Sequence, residues 1–304
     1  MLLTWVGNNG NESVMPHDEK IQRMRKPGWL KLKLPAGPDY EMVRSLIGRN
    51  ALHTVCQEAK CPNQWECFSK QTATFLIMGP RCTRNCLFCA VEQGPPGPPD
   101  PEEPLRVAEA AHSLGLRYVV VTSVTRDDLP DGGAAIFAAT IRAVRNKIPE
   151  ALVEVLIPDF KGDPEALFTV VEARPDVLNH NIETVERLYP AVRPEALYGR
   201  SMQLFRRAKD RDASIPVKSG VMLGLGESPQ EIRKTLLDLL EAGCSLLTLG
   251  QYLQPSAGHI PVERFVTPEE FDEWRKIALE MGFSRVASGP LVRSSYHAGD
   301  LFED

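Results

Sequence analysis

The distribution of cysteines is the feature that most constrains this chain. Six of the seven cysteines lie between positions 56 and 89, and the seventh, Cys244, stands alone. A total of seven is an odd number for a disulfide framework, and the clustering of six favours metal ligation. Cys244 lies between a predicted helix and a predicted strand, where we expect a small buried thiol without a functional role.

The segment MGPRCTRNCLFCAV places Cys82, Cys86 and Cys89 at C-x3-C-x2-C spacing, directly after a predicted strand. Three thiolates on one loop can bind three irons of a cubane cluster and leave the fourth iron open for another ligand. The alternative is a structural zinc site. Such sites usually have four ligands with paired C-x2-C spacing, and no fourth cysteine stands close to this triplet.

Another triplet comes earlier in the chain, in the segment VCQEAKCPNQWECF, and is called the first triplet; the triplet of Cys82, Cys86 and Cys89 is the second. The first triplet consists of Cys56, Cys61 and Cys67 at C-x4-C-x5-C spacing. Two incomplete triplets side by side indicate two cubane clusters. The alternative here is a zinc knuckle completed by a distant residue such as His53.

Composition excludes several classes of function. The chain has 304 residues, of which 43% are hydrophobic and 25% charged, and its formal net charge is −5. This balance gives no indication of a nucleic-acid or membrane partner. No run of eighteen apolar residues occurs, and the start MLLTWVGNNGNES lacks the features of a secretory signal, so we expect a cytoplasmic protein.

Short apolar runs alternate with amphipathic segments after position 70. Strands are predicted at 73–79, 117–124, 151–158, 176–181, 216–224 and 245–253. Helices are predicted near 102–115, 132–147, 163–173, 183–212 with breaks at Pro190 and Pro194, 228–242 and 268–281. Continuously apolar strands separated by helices indicate parallel pairing. Six such units predict an α/β fold, a partial (β/α)6 TIM-like barrel.

Three regions are predicted on this basis. Residues 1–70 form an N-terminal extension that carries the first cysteine triplet, and its first thirty residues are expected to be weakly ordered until the chain is anchored near KPGWLKLKLP. Residues 71–285 form the partial barrel. Residues 286–304 form a C-terminal segment that contains the sequence RSSY.

The second triplet, with the aromatic Phe88 before its last cysteine, resembles the signature of the radical S-adenosylmethionine superfamily. The resemblance implies a 4Fe–4S cluster on Cys82, Cys86 and Cys89. It also implies that the open iron chelates S-adenosylmethionine, whose reductive cleavage gives a 5′-deoxyadenosyl radical.

The combination of both triplets is similar to the lipoyl synthase family. Further segments carry the same resemblance over residues 26 to 300, among them KPGWLKLKLP, TSVTRDDLPDGGA, NHNIETV, KSGVMLGLGE and GPLVRSSYHAG. Gln71 departs from an expected glycine, and the first twenty-five residues match nothing that we can place.

This resemblance implies that the chain is a sulfurtransferase. An auxiliary 4Fe–4S cluster is bound by Cys56, Cys61, Cys67 and Ser295, with Ser294 as the alternative serine, and it is consumed as the sulfur donor. The substrate is an octanoyl-lysine on a lipoyl carrier domain, which receives sulfur at C6 and C8. The implied partners are acyltransferase subunits of 2-oxoacid dehydrogenases or the glycine-cleavage carrier protein, a low-potential donor such as ferredoxin or flavodoxin, and an iron–sulfur carrier that rebuilds the cluster.

Ligands of parallel α/β barrels meet the carboxyl ends of the strands. Polar side chains that suit S-adenosylmethionine follow the fourth predicted strand, in NHNIET, and lie at the fifth, in KSGVMLGLGE. We expect Asn179, Asn181 and Glu183 to contact its ribose hydroxyls or its amine, and Lys218 or Ser219 to contact its carboxylate.

Two other functions are compatible with parts of the sequence. A radical enzyme resembling biotin synthase would act on a free small molecule, but the first triplet and the RSSY segment are unlike that family. A zinc-binding structural or RNA-contacting module would also use cysteine triplets. The acidic balance and the lack of a basic aromatic patch count against it.

Overall fold

A computed structural model describes residues 25–30 and 38–303. An eight-stranded sheet runs through it in the order β1-β2-β5-β6-β7-β8-β9-β10, and β3 and β4 form a separate pair. The strands are β1 His53–Thr54, β2 Thr74–Ile77, β3 Arg81–Cys82, β4 Glu92–Gln93, β5 Tyr118–Ser123, β6 Leu152–Leu156, β7 Val177–Asn179, β8 Val217–Leu223, β9 Leu246–Gln251 and β10 Arg285–Gly289.

Helices connect these strands and cover the sheet. They are α1 Pro38–Arg49, α2 Val55–Glu58, α3 Gln64–Ser69, α4 Glu103–Ser113, α5 Ala134–Lys147, α6 Pro164–Glu172, α7 Tyr189–Val192, α8 Tyr198–Arg211, α9 Pro229–Glu241, α10 Pro268–Met281 and α11 Ala298–Glu303. Short 3₁₀ turns lie at Gly28–Leu30, Phe160–Gly162 and Glu186–Leu188. The six helices predicted after position 100 are confirmed, with the 183–212 segment divided as its prolines indicate.

All six predicted strands are present and pair in parallel in chain order. Their burial explains the pairing, since every residue of β2 and of β9 is buried. β1 adds an antiparallel edge beside β2, at the start of the sheet. In the described ranges β1 and β10 are the outer strands, so the α/β sheet is an open, partial barrel.

The strand β10 was not predicted. Its sequence RVASG is short and half-buried, so it lacks the apolar run that marks the other parallel strands. It nevertheless pairs with β9 over five residues and lies across position 285, where the sequence predicted the barrel to end. The division of the chain into three regions remains a prediction. In the structure, β10 extends the sheet by four residues into the predicted C-terminal segment, residues 286–304.

The helices α1, α2 and α3 lie within the predicted N-terminal extension, residues 1–70. Positions 1–24 of the predicted weakly ordered lead-in and positions 31–35, the second half of its anchor KPGWLKLKLP, lie outside the described residues. Within the described ranges, no helix combines the length and the apolar character needed to cross a membrane.

Candidate iron–sulfur and cofactor site

The second cysteine triplet lies in the loop that follows β2, at the carboxyl edge of the sheet. The Sγ atom of Cys82 accepts a hydrogen bond from the backbone N–H of Thr125, 3.3 Å away in the loop after β5. Burial raises the pKa of the Cys86 thiol to about 11 and that of Cys89 to about 12; Cys82 raises both further, and Cys86 also raises that of Cys89. The three half-buried thiols are therefore neighbours.

Hydrogen bonds from neighbouring loops fix this cysteine loop. The Thr83 hydroxyl donates to the Thr125 carbonyl at 2.9 Å, and the Leu87 N–H donates to the Val192 carbonyl at 2.9 Å. From the other side, the Ile260 N–H donates to the Leu87 carbonyl at 3.1 Å. The loop is therefore held by segments that follow β5, β7 and β9.

An ion-pair network centred on Arg84 also holds the cysteine loop in place. The guanidinium of Arg84, whose side chain is only 4% exposed, donates to both carboxylate oxygens of Asp127 at 2.7 and 3.0 Å and to Asp159 at 2.6 Å. Arg200 donates to the second oxygen of Asp159 at 3.1 Å. Each buried charge in this network has a hydrogen-bonded partner of opposite sign, which burial requires.

The first triplet lies at the opposite end of β2. Cys56 is on α2 and hydrogen-bonds Thr74, the first residue of β2, whereas Cys67 is on α3. The Cys67 thiol donates to Cys56, which lowers the pKa of Cys56 and raises that of Cys67. Burial and the adjacent Cys56 raise the pKa of Cys61. These three thiols are neighbours as well.

Both donor sets fit a cubane cluster. Thiolates are the soft ligands that such clusters bind, and coordination would keep buried thiols deprotonated where burial alone opposes it. Within the described residues, no three Cys, His, Asp or Glu side chains surround one point closely enough to hold a single metal ion. His53, the ligand considered for a zinc site, instead hydrogen-bonds Glu58 at 2.9 Å.

The two serines of the RSSY segment face different surroundings. The Ser294 hydroxyl donates to Oδ1 of Asn181 at 2.8 Å and lies against Gly220 in the barrel interior. Ser295 lines a cavity of about 690 Å³ together with Cys67. Of the two, Ser295 has the position that suits the predicted ligand of the first triplet.

Arg293 lies between the two parts of the site. Burial lowers the pKa of its guanidinium, and the groups that oppose this shift are Cys61 of the first triplet and Glu183 at the barrel end. Glu183 in turn affects the pKa of Cys86 and Cys89 in the second triplet. The two triplets thus border the same interior space.

Three of the five predicted cofactor contacts bond to the sheet itself, although the buried Oδ1 of Asn179 has no hydrogen-bond partner. The Lys218 ammonium donates to both oxygens of Glu154 at 2.9 and 3.0 Å, and the Asn179 amide donates to the same carboxylate at 2.9 Å. The Ser219 hydroxyl donates to the His180 carbonyl at 2.9 Å. Their role as cofactor ligands stays a prediction, while these bonds indicate a structural one.

Asn181 and Glu183 lie beyond β7 and face the site. The Asn181 amide donates to Oε1 of Glu183 at 3.1 Å, and burial raises the pKa of the Glu183 carboxyl. Glu183 has a left-handed backbone with φ of 65°, a strained conformation that recurs at functional sites. Its N–H donates to the Gly220 carbonyl at 3.0 Å, so neighbouring backbone maintains this conformation.

Sequence reasoning missed several charged residues of the site. Arg193 is buried and donates to the carbonyls of Asn181 and Ile182 at 2.9 and 3.2 Å. Its position between two prolines gave no periodic signal. Arg84 stands inside the C-x3-C-x2-C motif, and its place beside the ligands was the one available clue. Cys244 is buried as predicted.

Comparisons with known proteins agree with this arrangement. The profile of the Radical SAM superfamily matches residues 76–239. A profile described as the N-terminal domain of lipoyl synthase of the Radical_SAM family matches residues 7–61. The second match includes most of the first twenty-five residues, which the sequence analysis did not relate to any family.

Curated relatives are similar over almost the whole chain. A lipoyl synthase of Rubrobacter xylanophilus is 56% identical over 95% of this chain and 90% of its own length. A lipoyl synthase of Desulfotalea psychrophila is 57% identical over 93% and 96%, respectively. One from Caldanaerobacter subterraneus is 57% identical over 90% and 96%.

Solved structures share the fold at low sequence identity. HydG, a maturase of the [FeFe]-hydrogenase, aligns with a TM-score of 0.55 at 15% identity over 69% of this chain and 50% of its own. Methylornithine synthase aligns with a TM-score of 0.50 at 16% identity over 74% and 67%. With these folds, and with relatives above 55% identity, the chain belongs to the lipoyl synthase family of the radical SAM superfamily.

Proposed function

We propose that this chain inserts two sulfur atoms, at C6 and C8, into an octanoyl-lysine on a lipoyl carrier domain and so forms lipoyl-lysine. The observation that carries the proposal is the placement of two cysteine triplets around one interior space. β2 separates them, and its four residues span about 10 Å at the usual rise of a strand. An acyl chain is narrow enough to pass between them.

Cys82, Cys86 and Cys89 are proposed to hold the radical-generating 4Fe–4S cluster. When bound, such a cluster would supply one electron to S-adenosylmethionine, and the 5′-deoxyadenosyl radical so formed would abstract hydrogen from an unactivated carbon. The protein contributes orientation. The bonds from Thr125, Val192 and Ile260 keep the cysteine loop in place during two successive hydrogen abstractions.

Asn181 and Glu183 are proposed to bind S-adenosylmethionine. Glu183 lies near Cys86 and Cys89 of the second triplet, Asn181 donates to its carboxylate, and their oxygen atoms suit an ammonium group or ribose hydroxyls. Arg193 fixes the backbone of Asn181 through its carbonyl. Hydrogen bonds within the sheet support the backbone beside these two residues; they are made by the side chains of Asn179, Lys218 and Ser219.

The auxiliary 4Fe–4S cluster is proposed to be a substrate of the reaction, held by Cys56, Cys61, Cys67 and Ser295. Each hydrogen would leave the acyl chain as part of 5′-deoxyadenosine, and each carbon radical would bond a sulfide of the auxiliary cluster, whose iron would take up the surplus electron. Two molecules of S-adenosylmethionine and two electrons from the donor would be consumed, and protonation of the two sulfurs would release the dithiol form of lipoyl-lysine. A serine oxygen is a harder ligand than a thiolate and should exchange more easily on a thiolate-bound cluster. This property suits a cluster that is dismantled in each turnover.

The proposed partners follow from this chemistry. The acyl substrate arrives on an acyltransferase subunit of a 2-oxoacid dehydrogenase or on the glycine-cleavage carrier protein. Reductive cleavage requires a low-potential donor such as ferredoxin or flavodoxin. Loss of sulfide in each turnover requires an iron–sulfur carrier that rebuilds the auxiliary cluster.

An anaerobic single-turnover reaction tests the proposal. Reconstituted protein is mixed with reductant, S-adenosylmethionine and an octanoyl-lysine peptide, and mass spectrometry follows the peptide and 5′-deoxyadenosine. We expect two sulfurs in the peptide, and we expect replacement of Cys56, Cys61 or Cys67 by alanine to abolish their gain. Cys244→Ala is the matched control, because this buried cysteine lies outside both triplets. Deoxyadenosine without any sulfur in the peptide would overturn the proposed substrate.

A further inference from the structure

Two polar side chains stand between the cysteines of the first triplet. Asn63 is buried at 2% exposure, and its amide donates to the carbonyl of Leu291 at 2.7 Å. Glu66 directly precedes Cys67 and accepts a hydrogen bond from the Tyr296 hydroxyl at 2.9 Å. Both side chains therefore bond to the C-terminal segment that carries Ser295, although more than two hundred residues separate the partners along the chain.

The Glu66 carboxylate is a strong hydrogen-bond acceptor, which suits it to binding the C-terminal segment. Besides the bond from Tyr296, the Glu66 carboxylate accepts a hydrogen bond from the Lys70 ammonium at 2.7 Å. His297 also lies 3.3 Å from the Glu66 carboxylate. Hydrogen bonds to an ionised carboxylate are shorter and stronger than neutral ones.

The hydrogen bonds of Asn63 and Glu66 hold the C-terminal segment on both sides of Ser295. They bind this segment at positions 291 and 296, and the residues between these positions include Arg293 and Ser295. Local hydrogen bonds support this short turn, from the Val292 N–H to the Gly289 carbonyl and from the Tyr296 N–H to the Arg293 carbonyl, at 3.1 and 3.0 Å. We call the bonds of Asn63 and Glu66 to this segment the C-terminal clasp.

Packing alone does not fix Ser295. The cavity of about 690 Å³ lies beside it and is also lined by Cys67, Tyr118 and Tyr296. A side chain next to an open cavity has few van der Waals neighbours on that side. The position of Ser295 therefore depends on hydrogen bonds that hold the backbone around it.

A weakly bound ligand depends most on its position. An oxygen ligand binds a thiolate-bound cluster less strongly than a thiolate does, and functional groups need placement within about 0.5 Å. The structure thus assigns Asn63 and Glu66 as positioning residues: through the C-terminal clasp they hold the Ser295 oxygen beside Cys67. This assignment rests on the proposed function, in which Ser295 ligates the auxiliary cluster.

The test uses the full-length chain with Cys82, Cys86 and Cys89 replaced by alanine, so that the first triplet alone carries iron. In this background we compare Ser295→Ala, Tyr296→Phe, Glu66→Gln and Glu66→Ala. Tyr198→Phe is the matched control, because the Tyr198 hydroxyl donates to the Asp238 carboxylate at 2.7 Å, on the outer helices and away from the site. The readouts are the rate of iron loss to a chelator, the Mössbauer spectrum, and amide exchange at residues 291–297 in metal-free protein.

We expect Tyr296→Phe and Glu66→Ala to accelerate both iron loss and amide exchange about tenfold, because a hydrogen bond to a charged group is removed. Glu66→Gln keeps an oxygen acceptor and should recover part of the effect. Tyr198→Phe should match the parent. The Mössbauer signal of the site-differentiated iron should shift toward that of Ser295→Ala.

The outcomes separate two failures. If Ser295→Ala itself leaves iron loss and spectrum unchanged, the serine ligation in the proposed function is wrong. If Ser295→Ala changes them but the clasp variants behave as Tyr198→Phe does, the ligation holds and the positioning role is wrong. Faster amide exchange with unchanged iron loss would make the clasp a purely structural contact and would overturn the inference.

Discussion

At the scale of single residues, the barrel interior depends on one buried acid and its three donors. Glu154 accepts hydrogen bonds from Lys218 and Asn179, and from the Tyr118 hydroxyl at 2.7 Å. The Lys218 and Glu154 side chains are 1% and 0% exposed. Removing one partner leaves the other charge buried without compensation, which is costly, whereas replacing both costs far less.

We therefore predict that Lys218→Met lowers the free energy of unfolding by about 3–5 kcal/mol. The double variant Lys218→Met, Glu154→Gln should recover a large part of this loss. Urea denaturation of the metal-free chain measures both. Lys234→Met is the control, because Lys234 pairs with Asp238 on the surface with 61% of its side chain exposed. An unchanged midpoint in Lys218→Met would contradict the structural role of the pair.

Asp159 gives a pH-dependent prediction. Burial opposes its ionisation, but the hydrogen bond and charge of Arg84 outweigh burial and hold the pKa of this carboxyl below its usual range. A carboxyl with a lowered folded-state pKa stabilises the fold above its unfolded pKa of about 3.9, and this contribution is lost as the pH falls further. Asp159→Asn should be less stable than the parent at pH 6, and the difference should shrink at pH 3. Urea denaturation at both values measures it, and a difference that grows toward pH 3 would contradict the assignment.

At the scale of elements, residues 256–260, which follow β9, form a strap that is hydrogen-bonded to the cysteine loop. The carbonyl of Cys89 can only accept, so the Nε2 atom of His259, 2.9 Å away, carries the proton. The Nδ1 atom then accepts from the Ser256 hydroxyl at 2.8 Å. This pair of bonds sets the orientation of the imidazole ring and holds one peptide of the loop.

Replacing His259 by alanine should therefore loosen the loop without unfolding the barrel. We predict about tenfold faster amide exchange at residues 86–89 in the metal-free chain, since one hydrogen bond is worth about 1 kcal/mol or slightly more. Exchange within β5 should not change. His112→Ala, at an exposed position in the last turn of α4, is the control. Equal exchange in both variants would show that the strap does not restrain the loop.

The same scale shows what the sequence can predict. Long apolar runs, which are uncommon in loops, make four strands recognisable from the sequence: β2, β5, β6 and β9. The spacing of the cysteines identifies the two triplets without knowledge of the fold. β10 was missed because its half-buried sequence has no such run. The pairing of Lys218 with Glu154 depends on which strands are neighbours and on their register, and a single sequence does not contain that information. Lys218 was therefore predicted to bind a cofactor although its ammonium is bound within the sheet.

At the scale of the whole molecule, the open sheet keeps the two triplets independent. The first is built on α2 and α3 beside the start of β2, and the second on a loop held by the segments that follow β5, β7 and β9. The two triplets share no cysteine. Their connection runs through Arg293 and Glu183, which are side chains and not ligands in the proposed clusters.

Removal of one triplet should consequently leave the other cluster intact. We predict that the triple alanine variant of Cys56, Cys61 and Cys67 retains about half of the iron of the parent and still cleaves S-adenosylmethionine, because the other triplet supplies three thiolates of its own. The triple variant of Cys82, Cys86 and Cys89 should retain the other half and lose cleavage, whereas Cys244→Ala should keep all of the iron. Iron analysis and 5′-deoxyadenosine yield measure these outcomes. Loss of all iron in either triple variant, with circular dichroism unchanged, would mean that the two clusters assemble as one unit and that the open sheet does not separate them.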